Sequence, residues 1–190
     1  NVHTAINIVT SANSYTGNSG SGFGIYAAQM DILNNYIGSQ TTTAAGTTTQ
    51  YVSNAISISA PTGTAFAAVG SGFAINNNII DRVYRGIEIN SFSKSNFAAS
   101  TNTNTIKLVN DNVFNAPQNA IRFTNNTVGT VRGNTLSAAN TTNTLVSLFY
   151  GGSSTTSSIT CNTLSNSWRA FEFNSSNTGT FWRGNTMTTH

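Results

Sequence analysis

Val131-Arg132-Gly133-Asn134-Thr135-Leu136 is the stretch on which the fold turns. Its arrangement is an apolar residue, two variable residues, asparagine, one variable residue and a second apolar residue. It returns as Ile32-Leu33-Asn34-Asn35-Tyr36-Ile37, Ile75-Asn76-Asn77-Asn78-Ile79-Ile80, Val109-Asn110-Asp111-Asn112-Val113-Phe114, Ile159-Thr160-Cys161-Asn162-Thr163-Leu164 and Trp182-Arg183-Gly184-Asn185-Thr186-Met187. The aligned asparagines are Asn35, Asn78, Asn112, Asn134, Asn162 and Asn185. A motif that recurs at intervals of a few tens of residues marks a stacked-repeat architecture, in which each unit buries its apolar face only against the next.

A second pattern interleaves with the first: a small residue, then apolar, variable, apolar. It reads Ala5-Ile6-Asn7-Ile8, Ala55-Ile56-Ser57-Ile58, Gly86-Ile87-Glu88-Ile89, Ala120-Ile121-Arg122-Phe123 and Ala170-Phe171-Glu172-Phe173, with Thr144-Leu145-Val146-Ser147-Leu148 expected in the missing place. Alternation with period two is the signature of a strand with one buried face. The offset is nine residues from Asn78 to Ile87, Asn112 to Ile121 and Asn162 to Phe171, which predicts a fixed turn. The opposite connection varies, from 13 residues (Ile121 to Asn134) to 25 (Ile87 to Asn112), which predicts one tolerant edge. The shortest coils are then 22 residues (134 − 112) and 23 (185 − 162). Six coils stacked at the interstrand distance give a rod of roughly 25–30 Å. Asparagine suits such a corner because it tolerates left-handed backbone and its amide can donate to the same amide one coil away. The stretch 40–50, Gln-Thr-Thr-Thr-Ala-Ala-Gly-Thr-Thr-Thr-Gln, is of low complexity and is expected to be a loop.

Composition agrees with one body. The 190 residues, 38% hydrophobic and 10% aromatic, suffice for a single domain with a core over 1–190. Only 7% are charged, against roughly 25% in an ordinary soluble protein, so the surface is coated with neutral hydrogen-bonding groups. The net charge of +3 comes from six Arg and two Lys that form no cluster, which excludes a nucleic-acid partner. Cys161 is the lone cysteine, so the chain has no internal disulfide and no zinc site of paired cysteines; it is expected as a small buried side chain. No apolar run is long enough to span a bilayer, and no signal peptide is expected within these residues. Asn1-Val2-His3-Thr4-Ala5-Ile6 already reads as strand, so a processed product or a piece of a longer chain is expected.

The Gly86-Ile87-Glu88-Ile89 string and the repeated apolar-x-x-Asn-x-apolar strings resemble the right-handed parallel β-helix repeats of the pectate-lyase-like superfamily, over nearly all of the chain. This resemblance implies an all-β fold, a right-handed parallel β-helix (β-solenoid) of about six coils with one variable-loop edge. The Asn/Thr/Ser-rich, charge-poor style is similar to repeat regions of large secreted bacterial surface proteins, which implies a secreted, extracellular or cell-surface location. The superfamily hosts lyases, hydrolases, adhesins and inert stalks, so function must be argued from residues.

Five carboxylates are present: Asp31, Asp81, Glu88, Asp111 and Glu172. Glycoside hydrolysis needs two within roughly 5–10 Å. Glu88 and Glu172 share one strand column but are expected roughly 14 Å apart, with Arg122 between them as an ion-pair partner. Asp81 lies near Arg82 and Arg85, but Asp81 and Asp111 occupy different repeat positions, so no convergent calcium site follows. His3 and His190 sit at opposite termini without companion ligands. Trp168 and Arg169 are the candidate glycan contact, since aromatic faces stack on sugar rings; Trp182, at an inward repeat position, is expected in the core. Thr135, Thr163 and Thr186 form an outward column that reads Tyr36, Ile79 and Val113 earlier, so a regular threonine array is not expected.

The expectation is therefore a structural or adhesive extracellular protein or filament subunit, non-catalytic, without metal or cofactor. Its expected partners are glycans and either an end-to-end copy or the rest of a longer polypeptide. The alternatives are a carbohydrate-active enzyme, lyase or hydrolase, and a phage tail-spike fragment.

Overall fold

A computed structural model describes residues 4–9, 30–38, 52–59, 72–91, 98–108, 118–125, 128–138, 145–151, 157–174 and 179–188. The regular elements among them are all β-strands, and the pairings are parallel. In chain order they are β1 (Thr4–Val9), β2 (Met30–Leu33), β3 (Tyr36–Gly38), β4 (Val52–Ser59), β5 (Gly72–Asn76), β6 (Ile79–Ser91), β7 (Ala98–Asn102), β8 (Thr105–Leu108) and β9 (Gln118–Asn125). There follow β10 (Val128–Arg132), β11 (Thr135–Ser137), β12 (Leu145–Gly151), β13 (Ser158–Thr160), β14 (Thr163–Ser165), β15 (Arg169–Asn174), β16 (Phe181–Arg183) and β17 (Thr186–Thr188).

Three columns of strands result. The first is a six-stranded sheet in the order β2, β5, β7, β10, β13, β16. The other two share an 11-stranded sheet. One runs β3, β6, β8, β11, β14, β17, and the other β1, β4, β6, β9, β12, β15. Strand β6 serves both: Ile79–Asp81 lies between β3 and β8, whereas Ile87–Asn90 lies between β4 and β9. The register shifts between Asp81 and Val83, where Arg82 takes a positive φ of 53°, so the long strand carries an irregularity between the parts that serve the two columns. Parallel columns of this kind are compatible with a β-solenoid.

Because the register is kept from tier to tier, inward residues stack on inward residues. Ile75, Val131 and Ile159 line the first column; Ile80, Ile106, Leu136 and Leu164 the second; Ile56, Ile87, Ile121 and Leu148 the third. Each is at most 1% exposed. Fully burying one such side chain contributes about 1.5–3 kcal/mol. The branched shape of Ile packs well on a pleated surface, which fits its dominance of these rows.

Three features differ from the expectation. In β12 it is Leu148, Phe149 and Tyr150 that pair with Ile121, Arg122 and Phe123, so the repeat there is Ser147-Leu148-Phe149-Tyr150, displaced toward the C-terminus from 144–148. The small residue is a serine, which hid the match. Second, the nine-residue turn is not the constant element. The constant element is a two-residue corner between the first and second columns, as in Gly133-Asn134 between β10 and β11. The other connections vary in length, so more than one edge is tolerant. Third, Cys161 is exposed, because it occupies that corner. The loop expected at 40–50 and residues Val109, Asp111, Asn112 and Val113 lie outside the described residues.

At Gly86 the packing leaves no room for a side chain. A Cβ there would stand 2.3 Å from the Ala120 carbonyl oxygen and 2.8 Å from Ile106 Cγ2. Since one neighbour is backbone, the contact cannot be relieved by a rotamer change. Gly86→Ala should therefore lose about 1–3 kcal/mol through overpacking, read as a lower midpoint in chemical denaturation with unchanged slope.

Candidate functional site

Every corner between the first and second columns is built alike. Its first residue has a positive φ: Asn34 (58°), Asn77 (58°), Thr103 (54°), Gly133 (65°), Cys161 (57°) and Gly184 (65°). Its second is an asparagine. The left-handed residue is thus the one before the repeated asparagine, not the asparagine itself.

The asparagine answers a different need. At the corner its own carbonyl still accepts from the next tier, as in Thr105 N–H to Asn78 O and Thr135 N–H to Asn104 O (2.9 and 2.8 Å). Its N–H takes no backbone acceptor there, and a buried N–H without a partner costs about 1–3 kcal/mol. The next asparagine's side chain supplies the acceptor. The backbone N–H groups of Asn35, Asn78, Asn104, Asn134 and Asn162 donate to Oδ1 of Asn78, Asn104, Asn134, Asn162 and Asn185, at 2.9–3.0 Å. The Nδ2 groups of the same residues donate to the same oxygens, at 2.9–3.0 Å. From Asn78 onward, Nδ2 also donates back to a carbonyl in the tier before: Ile32, Ile75, Thr101, Val131 and Ile159 in turn, at 2.7–3.0 Å. Each interior amide therefore ties three tiers together. Asn78, Asn104, Asn134 and Asn162 are at most 1% exposed.

The ladder spacings are 43, 26, 30, 28 and 23 residues. Of the expected asparagines, Asn35, Asn78, Asn134, Asn162 and Asn185 stand in it. Asn104 holds the place assigned to Asn112. The cause is Thr101, which pairs with Ile75 and Val131 at the inward position and is 0% exposed. A threonine there breaks the apolar-x-x-Asn pattern, although its β-branched outline fills the same space. The string Asn104-Thr105-Ile106, parallel to Asn134-Thr135-Leu136 and Asn162-Thr163-Leu164, carried the signal.

This shift also remakes the outward row of the second column. The pairings place Tyr36, Ile79, Thr105, Thr135, Thr163 and Thr186 in line. Thr105 stands where Val113 was expected, so four consecutive tiers present threonine.

Seven of the charged side chains, Asp81, Arg82, Arg85, Glu88, Arg122, Arg169 and Glu172, form ion pairs with one another. Arg122 Nη1 is 2.8 Å from Glu88 Oε1, and Arg85 approaches the other oxygen at 3.8 Å. The Glu88 column continues through Arg122 and Phe149 to Glu172, three tiers on, about 14 Å at the interstrand spacing. Glu172 is paired with Arg169 (2.9 Å), whose guanidinium carbon stands 3.9 Å from the Trp168 ring centroid. Trp168 is 40% exposed, so its face is only partly taken by Arg169. Asp81 contacts Arg82 at 3.3 Å and accepts from the Tyr36 hydroxyl at 3.4 Å. Among the described residues no three His, Cys, Asp or Glu side chains converge as metal ligands. His3, Asp111 and His190 lie outside those residues. No described helix is long and apolar enough to cross a membrane.

Trp182 departs from its expected burial. It pairs with Ile159 at an inward position, yet it is 44% exposed, because β16 is the last described strand of its column. It rests against Phe171 and Phe173, with centroids 4.3 and 5.6 Å away.

Asn104→Ala removes the acceptor for both donors of Asn78 and the donor to the Ile75 carbonyl. The expected loss is about 1–3 kcal/mol, and Asn134→Ala should match it. Thr135→Ala, on the exposed row, should stay within about 0.5 kcal/mol. Equal losses at the three positions in thermal or urea unfolding would contradict the ladder's role. Comparison with protein-family models, curated proteins and solved structures finds no match to this chain, so the case for what it does rests on these residues.

Proposed function

We propose that the chain is a right-handed parallel β-helix of about six coils. In this proposal it is a structural and adhesive segment of a secreted, cell-surface or filament-forming protein, and it performs no catalysis. Its working surface is then the outer face of the rod, and the stack of tiers is a spacer that presents it. The observation that carries this reading is the in-register outward row Thr105, Thr135, Thr163, Thr186, flanked on the next outward position by Lys107, Ser137, Ser165 and Thr188. Threonine holds few χ1 states, so such a row offers hydroxyls and methyls at a fixed repeat of about 4.8 Å without reordering. A partner with its own regular array of hydroxyls, such as a polysaccharide, fits this spacing. Trp168 adds a half-exposed ring at the far column for stacking on a sugar face.

The described carboxylates weigh against the enzymatic alternative. Glu88 and Glu172 are each held by an arginine, and their separation is about 14 Å, beyond the roughly 5–10 Å that paired glycosidase carboxylates need. A glycan-array screen with parallel incubation on pectin and alginate tests the choice. Retention of one or more glycans without release of products is expected. Release of unsaturated or reducing-end products would establish the carbohydrate-active enzyme instead. Thr135→Glu with Thr163→Glu should abolish retention at unchanged far-ultraviolet circular dichroism, because two buried-upon-contact carboxylates on one face oppose any neutral partner. Trp168→Ala should weaken it less.

A further inference from the structure

The outward row of the second column changes character along its length. Its last four residues are the threonines, whereas its first two, Tyr36 and Ile79, are 66% and 51% exposed. Two large apolar side chains side by side in the open call for a partner more than a single one does.

The Tyr36 ring lies along its own strand, over Gly38. A Cβ at Gly38 would stand 3.0 Å from Cε1, 3.1 Å from the hydroxyl oxygen and 3.2 Å from Cζ of Tyr36, so the ring fills the space that the glycine leaves. Its hydroxyl donates to Asp81 Oδ2 in the next tier, at 3.4 Å. The ring is thus seated by its own strand and by the tier that follows, with most of its surface open.

Asp81 and Lys107 stand on the adjoining outward row, paired with each other across neighbouring strands. Tyr36 and Arg82 both engage Oδ2 of Asp81, and among the described residues Oδ1 takes no such contact. Lys107 is exposed. An acceptor and a donor of opposite charge are therefore one tier apart, beside an open aromatic ring. Hydroxyl groups can donate to the carboxylate and accept from the ammonium, whereas an anion is opposed by Asp81 and a cation by Lys107. The charges suit a neutral, polyhydroxylated ligand.

Resting on the adhesive reading above, we infer that Tyr36, Asp81 and Lys107 form a subsite for one pyranose ring of a neutral β-1,4-linked glucan, whose following rings lie over the threonines. A gluco-configured ring carries its substituents equatorially, so each face is a plane of C–H groups that stacks on the tyrosine, while hydroxyls at its rim reach Asp81 and Lys107. The row from Tyr36 to Thr186 runs straight for five tier spacings, about 24 Å. An extended β-linked chain follows a straight row; a coiled α-linked chain leaves it.

Affinity electrophoresis of the full chain in gels containing hydroxyethyl cellulose or amylose tests this. Retardation by hydroxyethyl cellulose and not by amylose is expected. Tyr36→Ala should weaken it about tenfold, the loss of one stacked ring, while Tyr36→Phe keeps most of it. Asp81→Asn should weaken it several-fold. Gly38→Ala pushes the ring off its seat and should also weaken retardation several-fold, at an unchanged thermal midpoint. No retardation of the wild-type chain by hydroxyethyl cellulose, equal retardation by amylose, or Tyr36→Ala running as the wild type would overturn the subsite. So would retardation lost in Trp168→Ala and kept in Tyr36→Ala. Thr135→Glu with Thr163→Glu keeps the two readings apart. Retention of a glycan that this double variant loses and Tyr36→Ala keeps removes the subsite alone; a wild-type chain that no glycan retains removes the adhesive reading as well.

Discussion

The constraint on which the rest depends is a single backbone N–H. A chain that turns between two sheets within two residues cannot keep both peptide groups in the ladder of backbone hydrogen bonds, and the one left over is buried. Here the asparagine side chain of the next tier takes that N–H, and its amide is in turn satisfied on all sides. The corner thus repeats without a defect, and the strands on either side remain in register. Shift one asparagine by a residue, and the inward and outward faces of both adjoining strands would exchange.

From this register the other properties follow. Ile, Val and Leu meet their own kind from tier to tier, so the core is a set of rows in place of a cluster, and no tier is complete alone. The outer face inherits the same order, which is why threonines far apart in sequence line up at one spacing and why Arg122 finds Glu88. The lengths of the other connections are released from this constraint. Successive ladder spacings of 43, 26, 30, 28 and 23 residues show how little the stack depends on their length. Closing a longer loop adds only about 0.6 kcal/mol for each doubling of its length.

The left-handed residue shows how narrow the local requirement is. Glycine serves in two corners, asparagine in two, and threonine and cysteine in one each. Threonine is β-branched and pays for positive φ with steric strain. That it stands at position 103 indicates that the stacked tiers on either side, not the local preference of the residue, hold the corner in place. Cys161 is exposed for the same reason: the first corner residue points outward whatever its identity.

What the sequence by itself determined was the period. Alternating apolar residues dictate strands with one buried face, and an asparagine recurring between two such strands dictates a stacked corner, because both signals act over a few neighbouring residues. What only the tertiary structure decided was which residues meet. Asn104, and not Asn112, lies between Asn78 and Asn134 because Thr101 occupies an inward position that sequence reading reserves for an apolar residue. Ser147-Leu148 takes the place sought at 144–148 because the backbone register with β9 and β15, not the small residue, sets the match. Trp182 carries a core residue's position with a surface residue's exposure, since burial depends on the presence of a strand beyond β16. Partners in a stack are separated by variable lengths of sequence, so their pairing is settled by what fits between adjacent tiers, and that fit exists only once the tiers are assembled.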